Sequence, residues 1–338
     1  MRAVTYREPG PSSVLSLVDL DLPEPGPGEV RVRLLRAGVN PTDWKFRATG
    51  KNGPYDEVAP GQDGSGVVDA VGPGVVGFAE GDRVWLVLAQ SGRWLGTAAE
   101  YTVQPVDRVV HLPVGASYDL GAALGVPAVT AHRALTAGED VERIAPGTMS
   151  GMTVLVAGGA GAVGTAATQL ARWAGATVYS TVSSEEKAAL AVAAGAHETI
   201  NYRVADTAAE VQAMCPEGVD LVVEVALAQN VALDVAVLRN RGTIAYYADN
   251  GGSEATVPVR DTFAKNLRLQ GLLLYTLGAD LLEIAIADVN AAVDVGALQV
   301  GADFGVPLHH FPLEQTAAAH DAVEQGTIGK VLLAIAEE

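Results

Sequence analysis

Residues 153–175 read TVLVAGGAGAVGTAATQLARWAG, a short apolar strand that runs through Gly159-x-Gly161-x-x-Gly164 into an Ala-rich helix. A strand, a glycine turn and a helix start let the backbone approach a pyrophosphate, whose charge is met by free N–H groups and the positive helix end. Ala/Gly-rich turns of this kind also serve close packing in many α/β proteins, so the surroundings decide. Strand-like runs at 177–182, 221–225 and 243–247 alternate with helical stretches at 163–173, 185–194 and 230–239. That alternation predicts a doubly wound parallel sheet, with Gly159, Gly161, Ala162, Val163 and Gly164 at a dinucleotide.

The strand at 177–182 chooses between cofactors. An NAD site usually ends this strand with an acid that hydrogen-bonds the ribose 2′-hydroxyl. Here the position is Val182, followed by Ser183, Ser184 and, one helical turn on, Lys187. Hydroxyls and a cation stand where a carboxylate would repel a 2′-phosphate, which favours NADPH over NADH. Ser184 with Glu185 and Glu186 also reads as an ordinary helix N-terminus.

Before residue 101 the chain consists of short β-rich runs broken by Pro and Gly, such as VRVRLL at 30–35 and GVVDAV at 66–71, as expected for a compact, mostly β unit. A helix is expected at 120–135 around Pro127. The 338 residues suit two domains, and a net charge of −18 argues against a nucleic-acid partner. No apolar run approaches the roughly 20 residues that span a bilayer, so the expectation is a cytoplasmic protein with no membrane association. Cys215 is the only cysteine, which leaves no internal disulfide and no multi-thiolate zinc site.

The runs AGVNPTD (37–43), GQDGSGV (61–67), GDRV (81–84), AEY (99–101), AALGVPAVTA (122–131), the glycine turn, RDTFAK (260–265) and GKVLL (329–333) occur in one order from end to end. Together they resemble the medium-chain dehydrogenase/reductase superfamily, and within it the zeta-crystallin-like NADPH:quinone oxidoreductases. The resemblance implies an α/β fold: a β-rich, GroES-like catalytic domain over 1–127, an NADP-binding Rossmann domain over 128–267 and a completing segment over 268–338. The zinc-bearing members place Cys, His and Cys at positions that look like Asn40, Gln62 and Val126 here, and two amides and a valine cannot make a zinc site. The expectation is therefore no metal.

Without a Lewis acid, an alcohol is a poor substrate. A quinone or α,β-unsaturated carbonyl already has an electron-poor acceptor position and needs chiefly orientation and polarisation of its oxygen. The resemblance puts Asn40 near the nicotinamide or the acceptor oxygen, with Tyr55 as a hydrogen-bond donor or proton source. It adds Thr130, Tyr202, Asn230, Tyr246, Leu273, Tyr275 and Lys330 to the cofactor-binding set of the glycine turn, Ser183 and Lys187. It also implies a homodimer, formed where the apolar stretch 267–275 ends the Rossmann portion. Residues 137–152, with Glu139, Asp140, Glu142 and Arg143, read as a solvated surface insertion. An enoyl-thioester (2-enoyl-CoA) reductase and a non-catalytic, crystallin-like NADPH-binding protein stand as alternatives.

Overall fold

The computed structural model describes residues 1–50 and 53–337, which fall into two compact units. One is Met1–Val126 with the segment that begins at Leu308; the other is Pro127–Pro307. Among the described residues no helix is long and apolar enough to cross a membrane.

The second unit carries a sheet of six strands in the order Glu198–Asn201, Thr177–Val182, Thr153–Ala157, Val219–Glu224, Leu238–Tyr246, Arg268–Gly271. Every pairing is parallel. Val154, Val156, Val222, Val223 and Ile244 are wholly buried, as expected when helices cover both faces of a parallel sheet. Strand order reverses between Thr153–Ala157 and Val219–Glu224, and ligands of such sheets bind at the carboxyl ends beside that reversal. The doubly wound expectation is borne out.

Two expectations change here. The chain returns to the β-rich unit at Leu308 rather than at residue 268. The strand Arg268–Gly271 is the sixth of the sheet, and the helix Ala279–Asp294 buries Ala285, Val289 and Ala292 in this unit. An apolar stretch looks the same whether it ends a sheet or extends it. Residues 137–152 are also not a solvated insertion. Val141, Ile144 and Met149 are buried, and the Ile144 N–H donates to Asp288 Oδ2 at 2.8 Å. Glu139 faces outward and pairs with Arg241 and Arg268 at 2.8 and 2.5 Å. The outward charges of this stretch mask the apolar residues between them.

The first unit is built on a seven-stranded sheet, among the described residues, whose long central strand is Glu29–Val39. Val30, Val32, Leu34, Val68, Val84 and Leu86 form its core. Two registers matter for chemistry. The strand Asp63–Val71 runs antiparallel with Asp63 opposite Gly38, and Lys330–Ala334 runs antiparallel with Val331 opposite Val39. Asn40, Asp63 and Lys330 are thereby delivered to one end of the sheet.

Candidate functional site

Functional groups lie in each unit. In the second, the strand Thr153–Ala157 turns at Gly158, whose φ of +70° favours glycine. The three fingerprint glycines then divide the work. A Cβ on Gly159 would lie 1.6 Å from Ser180 Oγ, and one on Gly164 2.5 Å from the Gly158 carbonyl oxygen, so both permit close packing. Gly161 is different: it is exposed, and a Cβ there would meet only the Gly158 oxygen, at 3.3 Å. It opens the helix Ala162–Trp173 with no side-chain cap and no acid in the first turn. The first-turn amides of Ala162, Val163 and Gly164 are thus presented at the carboxyl end of the sheet, beside the strand-order reversal. The turn fits a dinucleotide, because a bare, uncapped helix start is an anion site. Gly158 was missing from the sequence-derived set, since its need for glycine lies in a dihedral.

Two neighbouring strand ends build the adjacent corner. Val182 is buried, Ser183 follows it half-buried, and the Tyr202 N–H donates to the Val182 carbonyl at 3.1 Å. Ser184 caps the helix Glu185–Ala193 by accepting from the Lys187 N–H at 3.3 Å, leaving the Lys187 side chain on the first turn. Ser183 and the exposed Tyr202 thus follow adjacent strand ends, with Lys187 on the first turn of the next helix and no carboxylate at the end of Thr177–Val182. Asn230 differs from expectation, because its Nδ2 donates to the Glu224 carboxylate at 3.1 and 3.3 Å. Glu224, unnoticed in the sequence, is fully buried; burial raises its pKa, and burial together with the Glu224 charge raises that of Asp234. Thr130 is buried in the helix Gly125–Leu135, Tyr246 ends its strand half-buried over Gly271, Leu273 precedes the short turn Leu274–Thr276, and Tyr275 lies within it. A concavity of about 480 Å³ lined by Cys215, Gly218, Arg239 and Lys265 sits at the amino ends of the strands, away from this chemistry.

In the first unit a buried polar cluster surrounds Asn40. Asn40 Nδ2 donates to Asp63 Oδ2 at 2.7 Å, and Lys330 Nζ donates to Asn40 Oδ1 at 2.6 Å and to Asp63 Oδ2 at 3.3 Å. The Val126 N–H donates to Asp63 Oδ1 at 2.7 Å, and the Asn40 N–H to Asp43 Oδ2 at 2.7 Å. Asn40, Asp43, Asp63 and Lys330 are each at most 3% exposed. Burial pushes the Asp43 carboxyl up to about 7, opposed by its bond from the Asn40 N–H. Burial also raises Asp63 and lowers Lys330, while their mutual attraction holds both toward the charged forms. Three N–H donors on one carboxylate favour the ion pair.

Lys330 is thus corrected: the ammonium assigned to the cofactor is enclosed in the β-rich unit and engaged with Asn40 and Asp63. The Tyr55 hydroxyl is exposed and donates to the Gly92 carbonyl at 2.5 Å, so it offers no free proton in this arrangement. Lys51 and Asn52, which open that loop, lie outside the described residues. The cluster does not suit zinc. Asn40 and Gln62 are amides, Gln62 Nε2 is bonded to Gln90 Oε1 at 3.0 Å, Asp43 accepts from the Asn40 N–H, and Asp63 faces an ammonium that would repel a dication.

Comparison with known proteins yields two family profiles: an "alcohol dehydrogenase GroES-like domain" over residues 26–114 and a "zinc-binding dehydrogenase" over residues 162–291. The chain is 32% identical to human quinone oxidoreductase, covering 98% of this chain and 97% of that protein. It is 30% identical to a 2-haloacrylate reductase of a Burkholderia species, covering 98% of each. A mycobacterial protein solved in complex with NADPH is 30% identical, with a TM-score of 0.83 and 99% of each chain covered.

Proposed function

Because the chain belongs to the quinone oxidoreductase family of medium-chain dehydrogenase/reductases, we propose that it reduces quinones or related α,β-unsaturated carbonyls with NADPH and without zinc. The observation that carries this reading is the uncapped helix start at Gly161, next to a strand that ends in Val182 where an NAD site would place an acid. When bound, NADPH supplies a hydride at nicotinamide C4.

The chain's part is to hold and orient. The first-turn amides of Ala162, Val163 and Gly164 take the pyrophosphate, and Ser183, Lys187 and Tyr202 take the 2′-phosphate. Thr130, Tyr246, Leu273 and Tyr275 contribute to the rest of the cofactor site. Asn40 keeps one Nδ2 hydrogen that no described residue accepts, and this N–H polarises the acceptor oxygen as negative charge develops there. Such an acceptor needs no Lewis acid, in keeping with an amide at position 40. The edge strand Arg268–Gly271 and the exposed Leu273 support a homodimer.

The test is NADPH oxidation by chelator-treated protein with 1,4-benzoquinone, a simple enone and a crotonyl thioester as acceptors. Turnover with the quinone or the enone is expected. Turnover with the thioester alone, or a strict need for added zinc, would overturn the proposal.

A further inference from the structure

The pair Lys330–Asp63 is hard to explain by stability. Taking an ammonium and a carboxylate out of water costs several kcal/mol per ion, and well-packed apolar residues of similar volume often stabilise as well or better. Yet the surroundings leave room for both side chains. A Cβ on Gly125 would lie 2.3 Å from Asp63 Oδ1, and one on Gly38, already 2.1 Å from the Ala122 carbonyl oxygen, would also lie 2.9 Å from Lys330 Cε and Nζ. Both neighbours are residues with no side chain, and both charged groups converge on the same amide.

We propose that Lys330 and Asp63 are positioning residues for Asn40, fixing which end of its amide is the donor and where that donor stands. An ammonium can only donate and a carboxylate can only accept. The amide must therefore turn Oδ1 to Lys330 and Nδ2 to Asp63, the arrangement observed at 2.6 and 2.7 Å. The reversed amide would set the ammonium against NH2 and the carboxylate against a carbonyl oxygen. Asp43 fixes the other half of the residue by accepting from the Asn40 backbone N–H at 2.7 Å. With one Nδ2 hydrogen committed to Asp63, the second is held in a single place before an acceptor arrives, and such preorganisation is what gives a donor its effect on a developing oxyanion. The inference rests on the reductase reading above.

The experiment compares the unmodified protein with Lys330→Met, Asp63→Leu/Lys330→Met, Asn40→Ala and Asn40→Ala/Lys330→Met. The double variant removes both members of the ion pair together, so its Tm and NADPH Kd are expected to stay near those of the unmodified protein. Its kcat with 1,4-benzoquinone is expected to fall about 10- to 100-fold, the scale of a misplaced catalytic contact. In the Asn40→Ala background, Lys330→Met is expected to cost no further kcat. The Asn40 side-chain amide, followed by NMR in protein labelled with 15N-asparagine, is expected to lose its hydrogen-exchange protection in the double variant. A double variant with unchanged kcat, or an equal Lys330→Met penalty with and without Asn40, would overturn the positioning role while leaving the reductase reading intact. An unmodified protein that turns over neither quinone nor enone would remove the reductase reading, and this inference with it.

Discussion

Alanine placed at two of the fingerprint glycines should separate cofactor binding from packing. At Gly161 the helix opens at φ −81° and ψ 159°, which any residue adopts, and an added methyl has 3.3 Å to its nearest neighbour. Loss of stability should stay within about 1 kcal/mol, the usual scale of an exposed N-cap change. The same methyl would sit on the N-cap residue, next in the chain to the first-turn amides. If it displaces one charge-assisted hydrogen bond from the pyrophosphate, the cost is about 1.5–3 kcal/mol, or a rise in NADPH Kd of about 10- to 150-fold. At Gly164 the methyl would be 2.5 Å from the Gly158 oxygen. Turn and helix would have to separate, at a cost of about 1–3 kcal/mol, or roughly 2–12 °C in Tm for a unit of this size. Fluorescence titration with NADPH and thermal unfolding of both variants give the readouts. Gly161→Ala with an unchanged Kd would refute the assignment of this helix start to the pyrophosphate.

Lys187→Ala should raise the NADPH Kd by about tenfold or more, the worth of a hydrogen bond to a charged group, and leave the NADH Kd alone; isothermal titration with both cofactors measures the split. His320 lies buried with its pKa driven down to about 3 by burial and by the Arg47 charge. Unfolding restores an ordinary imidazole near pH 6.5. The unfolded chain therefore binds the extra proton, and stability that is full above about pH 6.5 falls toward pH 3 by up to about 1.4 kcal/mol per unit. Urea midpoints at pH 7 and pH 5 should diverge less in His320→Leu than in the unmodified protein. Asp288 is held below the usual carboxylate range by bonds from His132, Arg143 and the Ile144 N–H, against the opposing effect of burial. Asp288→Ala should loosen residues 137–152, read as earlier proteolysis there. Light scattering at micromolar concentration should give a dimer mass, and a monomer would remove the edge-strand pairing.

The second unit was the more legible of the two because its information is local. A strand, a glycine turn and a helix are contiguous, and each strand of a parallel sheet reads as an apolar run bounded by polar turns. Ser183 and Lys187 could be read for the same reason, since one follows a strand end and the other lies on the first turn of the next helix, whereas Tyr202 came from the resemblance to the family. What escaped the sequence depends on registry between distant segments. Lys330 and Asn40 are 290 residues apart, and only the antiparallel register of two strands shows that the ammonium meets the amide rather than a cofactor. Asn230 looked available until Glu224 was found buried beneath it. Residues 137–152 looked solvated because Glu139, Asp140, Glu142 and Arg143 cluster in their first half, whereas Ile144 and Met149 decide their packing.

Hydride delivery to a conjugated carbon, without metal, is tested most directly with isotope. Chelator-treated protein would be turned over with NADPH deuterated at both C4 positions and a simple enone, and the product examined by mass spectrometry and NMR. One deuterium at the β-carbon of the saturated ketone is expected. Product without label, label at the carbonyl carbon of an alcohol, or activity restored only by zinc would contradict it.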